Sequence, residues 1–263
     1  MDQRLDRLKF AWRFLLLPRA RVASANSEIL RALTETMWDV ASPGEARQTQ
    51  RIEQYRSALT QDESEVEFLD YGAGSRDNQF SGEDLRRGVG SRKKISEIAL
   101  ASKSALWGRL LHKIVRLTAA KSCVEMGTSL AISASYIASG LGRDGRLVTM
   151  EGAPAVADLA ADTLRRLVPD REVEICVGPF HDTLDAVLEK AAPIDFAFVD
   201  GNHERTATES YHRQLLRHMQ PGGVMVFDDI RWSADMLRAW KTIRADSRGT
   251  CLDLGNVGIV LLA

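Results

Sequence analysis

Residues 122–151 read SCVEMGTSLAISASYIASGLGRDGRLVTME. The first run, SCVEM, is apolar apart from Ser122 and Glu125 and has the length of a strand, and Gly127 breaks it. A helical pattern follows over 131–140, and a second strand-like run, RLVTME, ends in Glu151. Strand, glycine turn, helix and strand in about 30 residues make one right-handed crossover between parallel strands.

The alternation continues outward from this unit. Strand runs at 122–127, 146–151, 172–178, 194–200 and 222–228 alternate with amphipathic helical stretches at 131–140, 155–167, 182–191, 206–218 and 233–244. Such a pattern predicts an α/β fold with a parallel sheet covered on both faces. The ending differs, because GTCLDLG and VGIVLLA meet at Gly255-Asn256 with no helix between them. A turn that short joins antiparallel strands only, so the sheet is expected to close with a hairpin.

Upstream, Leu5, Leu8, Trp12, Leu15 and Leu16 fall at helical spacing until Pro18, and further helices are expected over 28–40 and 43–59, the latter with Ser42 as cap and Pro43 at its first position. Residues 61–93 are polar and punctuated by Gly72, Gly74, Gly82, Gly88 and Gly90, which reads as a loop. Two helices, 94–103 and 106–119, lead into the first core strand. The expected organisation is an N-terminal helical segment over 1–65 that serves as an acceptor-site lid or a dimer contact, a glycine-rich loop over 66–93, and the main domain over 94–263.

The 263 residues hold 35 basic and 36 acidic side chains, so no global field argues for a nucleic-acid partner. Cys123, Cys176 and Cys251 are odd in number and widely spaced, which fits reduced thiols better than a disulfide or zinc framework. Basic residues precede FAWRFLLL, but Arg13 interrupts that run and Arg19 and Arg21 stand where a leader would be neutral. No run reaches the roughly 18 apolar residues of a spanning helix. The expectation is a cytoplasmic protein without a transmembrane segment.

Function is written at the strand ends. Glu125, Glu151 and Asp200 close three of the five strand runs, and Asp228 and Asp229 close a fourth. In a parallel sheet these carboxylates converge on the crevice where open α/β sheets bind ligands. Gly127 permits a sharp turn into a helix whose first N–H groups are free, and Glu151, 24 residues beyond it, has the spacing of an acid that holds two ribose hydroxyls. A nicotinamide dehydrogenase would need G-x-G-x-x-G to seat a pyrophosphate, and only Gly127 is present, so a cofactor without phosphates fits better.

The successive motifs VEMGTSLAISASYIA, TMEGAPAVADLA, VGPFHDTL, DFAFVDGNHE and GGVMVFDDIRWS resemble those of the class I S-adenosylmethionine-dependent methyltransferases, in particular bacterial O-methyltransferase-like proteins. The resemblance spans about residues 69–263 and extends weakly upstream. It implies a Rossmann-like seven-stranded, mostly parallel sheet with an antiparallel last strand and S-adenosylmethionine as cofactor; the N-terminal helices are expected either to shape the acceptor site or to make a homodimer contact. Carried over by position, Glu125, Gly127, Thr128, Ser129 and Ser133 would surround the methionine end of the cofactor. Glu151 and Gly152 would take the ribose, Gly178, Pro179, Phe180 and His181 the adenine edge, and Asp200 the space beneath the methionine or acceptor. Ala131 departs from the pattern, since relatives usually carry glycine there.

Methyl transfer from a sulfonium is an in-line displacement, so the chain must position the acceptor and remove its proton. Two designs are open. In one, Asp200, Asp228 and Asp229 hold a magnesium ion, which takes oxygen ligands and acidifies an acceptor hydroxyl. In the other, His203 is the base without a metal, since an imidazole ordinarily titrates at about pH 6.5. Against both stand ordinary roles: Asp228 and Asp229 as caps or loop anchors, and His203 as a structural histidine. Trp232 either walls the acceptor pocket or anchors the last helix. Tyr71, Ser75 and Arg76, with Arg92, Lys93 or Lys94, either close over the site or belong to a flexible loop. The expected acceptor is a small molecule or a peptide methylated on oxygen, with an N-methyltransferase or a catalytically silent cofactor-binding protein as alternatives.

Overall fold

The computed structural model describes residues 3–72, 74–75, 78–79 and 82–263. Four helices open the chain: α1 (Gln3–Leu15), α2 (Arg19–Ala25), α3 (Ser27–Met37) and α4 (Pro43–Leu59). Next come β1 (Glu65–Asp70), the short β2 (Gly74–Ser75) and β3 (Asn78–Gln79), α5 (Gly82–Arg87) and β4 (Val89–Lys94). Then α6 (Ile95–Ala101) and α7 (Ala105–Leu117) lead to β5 (Ser122–Met126), α8 (Ile132–Gly140), β6 (Arg146–Glu151), α9 (Pro154–Leu167) and β7 (Glu172–Val177). The chain ends with α10 (Phe180–Ala191), β8 (Ile194–Val199), α11 (Arg205–Leu216), β9 (Met219–Phe227), α12 (Ala234–Asp246), β10 (Gly249–Asp253) and β11 (Gly258–Leu262).

The main sheet has seven strands in the order β10-β11-β9-β8-β5-β6-β7. β5 to β9 pair in parallel, and β11 runs antiparallel to both β9 and β10. This is the expected sheet with its closing hairpin. Side chains alternate across it: Cys123, Phe196, Phe198, Val224 and Val226 enter one core, and Val124, Met126, Ala197, Val199, Met225 and Phe227 the other. From β5 the chain winds outward through β6 to β7 and then crosses back to β8 on the other side of β5. That reversal opens a crevice at the carboxyl ends of β5 and β8.

The N-terminal helices share the first of these cores. Phe10, Phe14, Val22, Ile29 and Leu33 pack with Leu106, Leu110 and Ile114 of α7, while Ile52 of α4 packs with Ile132 and Tyr136 of α8. Charge fastens the seam: the buried Lys113 ammonium donates to the Val40 carbonyl at 2.5 Å and to Glu35 at 3.1 Å, with Glu45 at 3.5 Å. Helix α4 starts as its sequence demands, with the Ser42–Glu45 capping box closed and Pro43 at its head.

Two stretches differ from the sequence reading. Helix α2 forms on the apolar Val22, which the run of arginines around it obscures. Within residues 66–93, read as a loop, β1 and β4 form an antiparallel ribbon with Glu67 opposite Arg92 and Asp70 opposite Val89. Its charged faces hide the strand pattern, and ion pairs between Glu67 and Arg92 and, at 2.8 Å, between Lys93 and Asp70 lace it together. Among the described residues, no helix is long and apolar enough to cross a membrane, and all three cysteines are free.

Candidate active site

A cavity of about 510 Å³ lies over the carboxyl ends of β5, β6 and β8, within the size range of small-ligand pockets. Its floor is the turn after β5. Gly127 has φ +105°, and a Cβ there would stand 2.2 Å from the Asp200 carbonyl oxygen, so only glycine lets the two strand ends come this close. The Gly127 and Thr128 N–H groups donate to the Met150 carbonyl, and the Asp200 N–H to that of Met126, which ties three strand ends together. Ser129 and Ala131 are left-handed, at φ 49° and 59°. A left-handed residue with a side chain costs about 1–2 kcal/mol, which gives the glycine usual at Ala131 in the resembling proteins a physical reason.

Glu125 lies under this turn, wholly buried. Its Oε2 accepts from the Thr149 hydroxyl at 2.6 Å, and Thr149 in turn shares a 2.7 Å contact with Thr128. Oε1 has no hydrogen-bond partner. Burial pushes the carboxyl up to about 8, with the Thr149 and Ser133 hydroxyls pulling it down and the charges of Asp200 and Glu151 adding to the rise. Unlike Thr128, Ser129 and Ser133, Glu125 is not in the cavity lining, so the expected place beside the cofactor falls to those three.

Glu151 is held from both sides. Ser129 N–H donates to one oxygen at 2.8 Å and Ala153 N–H to the other at 3.0 Å. Burial raises its pKa, and these N–H groups oppose the rise. Each carboxylate oxygen keeps a second lone pair for a hydroxyl of a ligand. Pro179, Phe180 and His181 form another wall, with the Phe180 ring edge-on to Tyr211 at 5.9 Å; Gly178 stands just behind them with φ +140° and is not in the lining. Thr128, Ser129, Ser133, Gly152 and Asp200 all border the cavity.

Across the cavity, Nε2 of His203 lies 3.7 Å from Asp200 Oδ1 and 3.8 Å from Asp229 Oδ2. Asn202, His203 and Asp229 all have positive φ, and such strain clusters where side chains are held for chemistry. The Trp232 ring lies 5.7 Å from His203. Asp228 is turned away from this trio. It is 2% exposed, one of its oxygens accepts from the Asp229 N–H at 2.7 Å, and the other is paired with the Lys103 ammonium, which also lies 3.6 Å from Asp229. Of the trio expected from the sequence, Asp200 and Asp229 thus come together and Asp228 stands apart with Lys103. The ligand atoms that meet, within 4.8 Å of one another, belong to Asp200, His203 and Asp229, and an imidazole replaces one of the hard oxygens that magnesium prefers.

Lys103 escaped the sequence reading, which took it as the last residue of a helix. The signal was the Ser102-Lys103-Ser104 break between two helical runs. The ribbon was missed as well, yet Phe68, Asp70, Tyr71 and Lys93 wall the cavity, and the Tyr71 ring covers Gly152 so closely that a Cβ there would stand 2.7 Å from it. Arg92 and Lys94 are drawn off to Glu67 and Glu63 outside the lining, and Arg76 and the Ser75 side chain lie outside the described residues. Helices α1 to α4 contribute no described residue to the lining, because their apolar faces are spent on α7 and α8.

Fold and cavity together define a Rossmann-like α/β protein with carboxylates around a ligand crevice at its topological switch point. The family described as O-methyltransferase matches residues 73–248. The chain belongs to that family. It is 31% identical over 135 residues to a catechol O-methyltransferase of Mycobacterium tuberculosis, an alignment covering 51% of this chain and 60% of that protein. The chain thus spans less than two thirds of that curated relative. Among solved structures, the O-methyltransferase of Bacillus cereus in complex with S-adenosylhomocysteine matches at a TM-score of 0.52 and 27% identity, covering 61% of this chain and 82% of that one. The O-methyltransferase TomG of Streptomyces achromogenes, in complex with S-adenosylmethionine, matches at 0.53 and 28%, covering 62% and 82%.

Proposed function

We propose that this chain is an S-adenosylmethionine-dependent methyltransferase acting on an oxygen of a small molecule. The observation that carries the reading is that Glu151, Asp200 and the Gly127 turn, at the ends of three neighbouring strands, border one cavity of about 510 Å³, with Glu125 buried beneath that turn. Glu151 receives the ribose hydroxyls, its two oxygens already aimed by backbone N–H groups. Thr128, Ser129 and Ser133 line the space for the methionine end of the cofactor, with Glu125 buried beneath them. Pro179, Phe180 and His181 flank the adenine. When bound, the cofactor supplies a methyl group on a sulfonium, open to in-line displacement.

The chain's own task is to hold the acceptor oxygen in line and take its proton. His203 does the second. Its Nε2 faces the cavity between Asp200 and Asp229, which stabilise the imidazolium once the proton has moved. Magnesium held by Asp200, Asp228 and Asp229, the other design, is disfavoured because Lys103 engages Asp228. A peptide acceptor is less well served by a pocket roofed by the ribbon and Tyr71. An N-methyltransferase would need no base for a neutral amine, so the His203 trio argues for oxygen.

We further read the exposed Leu8, Trp12 and Leu15 of α1, with Leu16 just beyond it, as the contact of a homodimer, and the three free cysteines as the mark of the cytoplasm. Transfer of labelled methyl from S-adenosylmethionine to a panel of catechols and related phenols tests the reading. Turnover by the wild type and a loss of about 100-fold or more in kcat for His203→Ala are expected. A His203→Ala variant as active as the wild type contradicts the role given to this residue.

A further inference from the structure

Lys103 sits on the link between α6 and α7, where Ser102 ends one helix and Ser104 begins the next. The link cannot drift far, since the Ser102 N–H donates to Ala99 and the buried Ser104 hydroxyl donates to Asp6 at 2.8 Å. From there the lysine stem crosses an apolar slot bordered by Trp107, Leu110, Phe198 and Val226. The ammonium emerges at the strand ends, paired with Asp228 and 3.6 Å from Asp229, on the border of the main cavity. Only 15% of the lysine side chain and 2% of the Asp228 side chain are exposed.

We propose that Lys103 supplies, from within the chain, the positive charge that a divalent cation would bring between Asp228 and Asp229, so that the site works without a divalent metal. The inference rests on the methyltransferase reading for its purpose and on the geometry for its substance. A lysine ammonium is a compact point charge with three N–H donors. Asp228 and Asp229 meet its charge as ion pairs, and its N–H donors can serve an acceptor oxygen entering the cavity. A divalent ion approaching Asp228 would have to displace an ammonium whose stem is packed and whose carboxylate partner is shielded from water. Without that ammonium, Asp200, Asp228 and Asp229 would crowd three negative charges around one cavity, and cation binding would relieve them. Lys103 thus both neutralises the aspartates and bars the ion they would attract.

The test is binding of Mn2+ alone, followed by the electron paramagnetic resonance of the free ion, to the wild type, Lys103→Gln, Lys103→Met and Lys103→Arg. The wild type and Lys103→Arg should show no saturable site below about 1 mM, whereas the neutral variants should gain one at least about tenfold tighter. Two neutral variants are used so that misfolding of one does not decide the matter. Saturable Mn2+ binding by the wild type below about 0.1 mM would overturn the proposal, and so would neutral variants that bind no better than the wild type. Calorimetry with S-adenosylhomocysteine on the same samples separates the two readings: intact cofactor binding beside wild-type Mn2+ binding removes the role of Lys103 alone, and absent cofactor binding removes the methyltransferase reading.

Discussion

Glu125→Gln isolates the most costly feature of the cavity floor. The carboxyl is pushed up from 4.5 to about 8 by burial, whereas in the unfolded chain it ionises at its ordinary value. Below pH 4.5 both states carry the proton, and Glu125 contributes no pH dependence. Between 4.5 and 8 the unfolded chain gives up a proton that the folded chain keeps, so stability falls as pH rises. Above about 8 both states are ionised and the loss is complete. At about 1.36 kcal/mol per pH unit over this window, the loss reaches about 5 kcal/mol. Glutamine has the same shape, keeps an acceptor for the Thr149 hydroxyl and cannot ionise.

Urea unfolding of the ligand-free protein from about pH 5 to about pH 9 should therefore show the variant gaining on the wild type by several kcal/mol as pH rises. Parallel stability curves would refute the claim that Glu125 is held neutral. The same chemistry should be visible in binding. A cationic cofactor group above the turn favours the buried carboxylate, so binding of S-adenosylmethionine near pH 7 should release a proton, and the measured heat should change with the ionisation enthalpy of the buffer in the wild type but much less in Glu125→Gln.

Gly127→Ala should abolish binding of S-adenosylhomocysteine by calorimetry while leaving a folded protein, because the new methyl stands against the Asp200 carbonyl and must push the two strand ends apart; unchanged affinity would contradict the account of the turn. Lys113→Met should cost about 1–3 kcal/mol in urea unfolding, since it removes the donor to the Val40 carbonyl at a buried seam and one cation from Glu35 and Glu45, which keep Arg116. A loss below about 1 kcal/mol would mean that water reaches that seam.

The parallel sheet was legible because burial on both faces forces short, continuous apolar runs, and SCVEM, RLVTME and DFAFV have no other way to be satisfied. The crevice was legible for the same reason, since Glu125, Glu151 and Asp200 stand at ends that such runs mark. What stayed hidden depends on partners distant in sequence. EVEFLD reads as a polar loop until VGSRKK, more than 20 residues on, supplies the opposite charges and the opposite edge. Lys103 looks like any lysine at a helix end, and only the return of β9 brings Asp228 to it. Asp228 and Asp229 look equivalent in sequence, yet the positive φ of Asp229 turns one carboxylate to His203 and leaves the other with the lysine.

The central claim is that Glu151 and its neighbours hold the nucleoside of S-adenosylmethionine. Calorimetric titration of S-adenosylmethionine and S-adenosylhomocysteine into the wild type and Glu151→Ala tests it most directly. The account predicts saturable binding of both to the wild type and a loss of about 100-fold or more in the variant, equivalent to about 3 kcal/mol. Wild-type protein that binds neither, or a variant that binds both as tightly as the wild type, would contradict it.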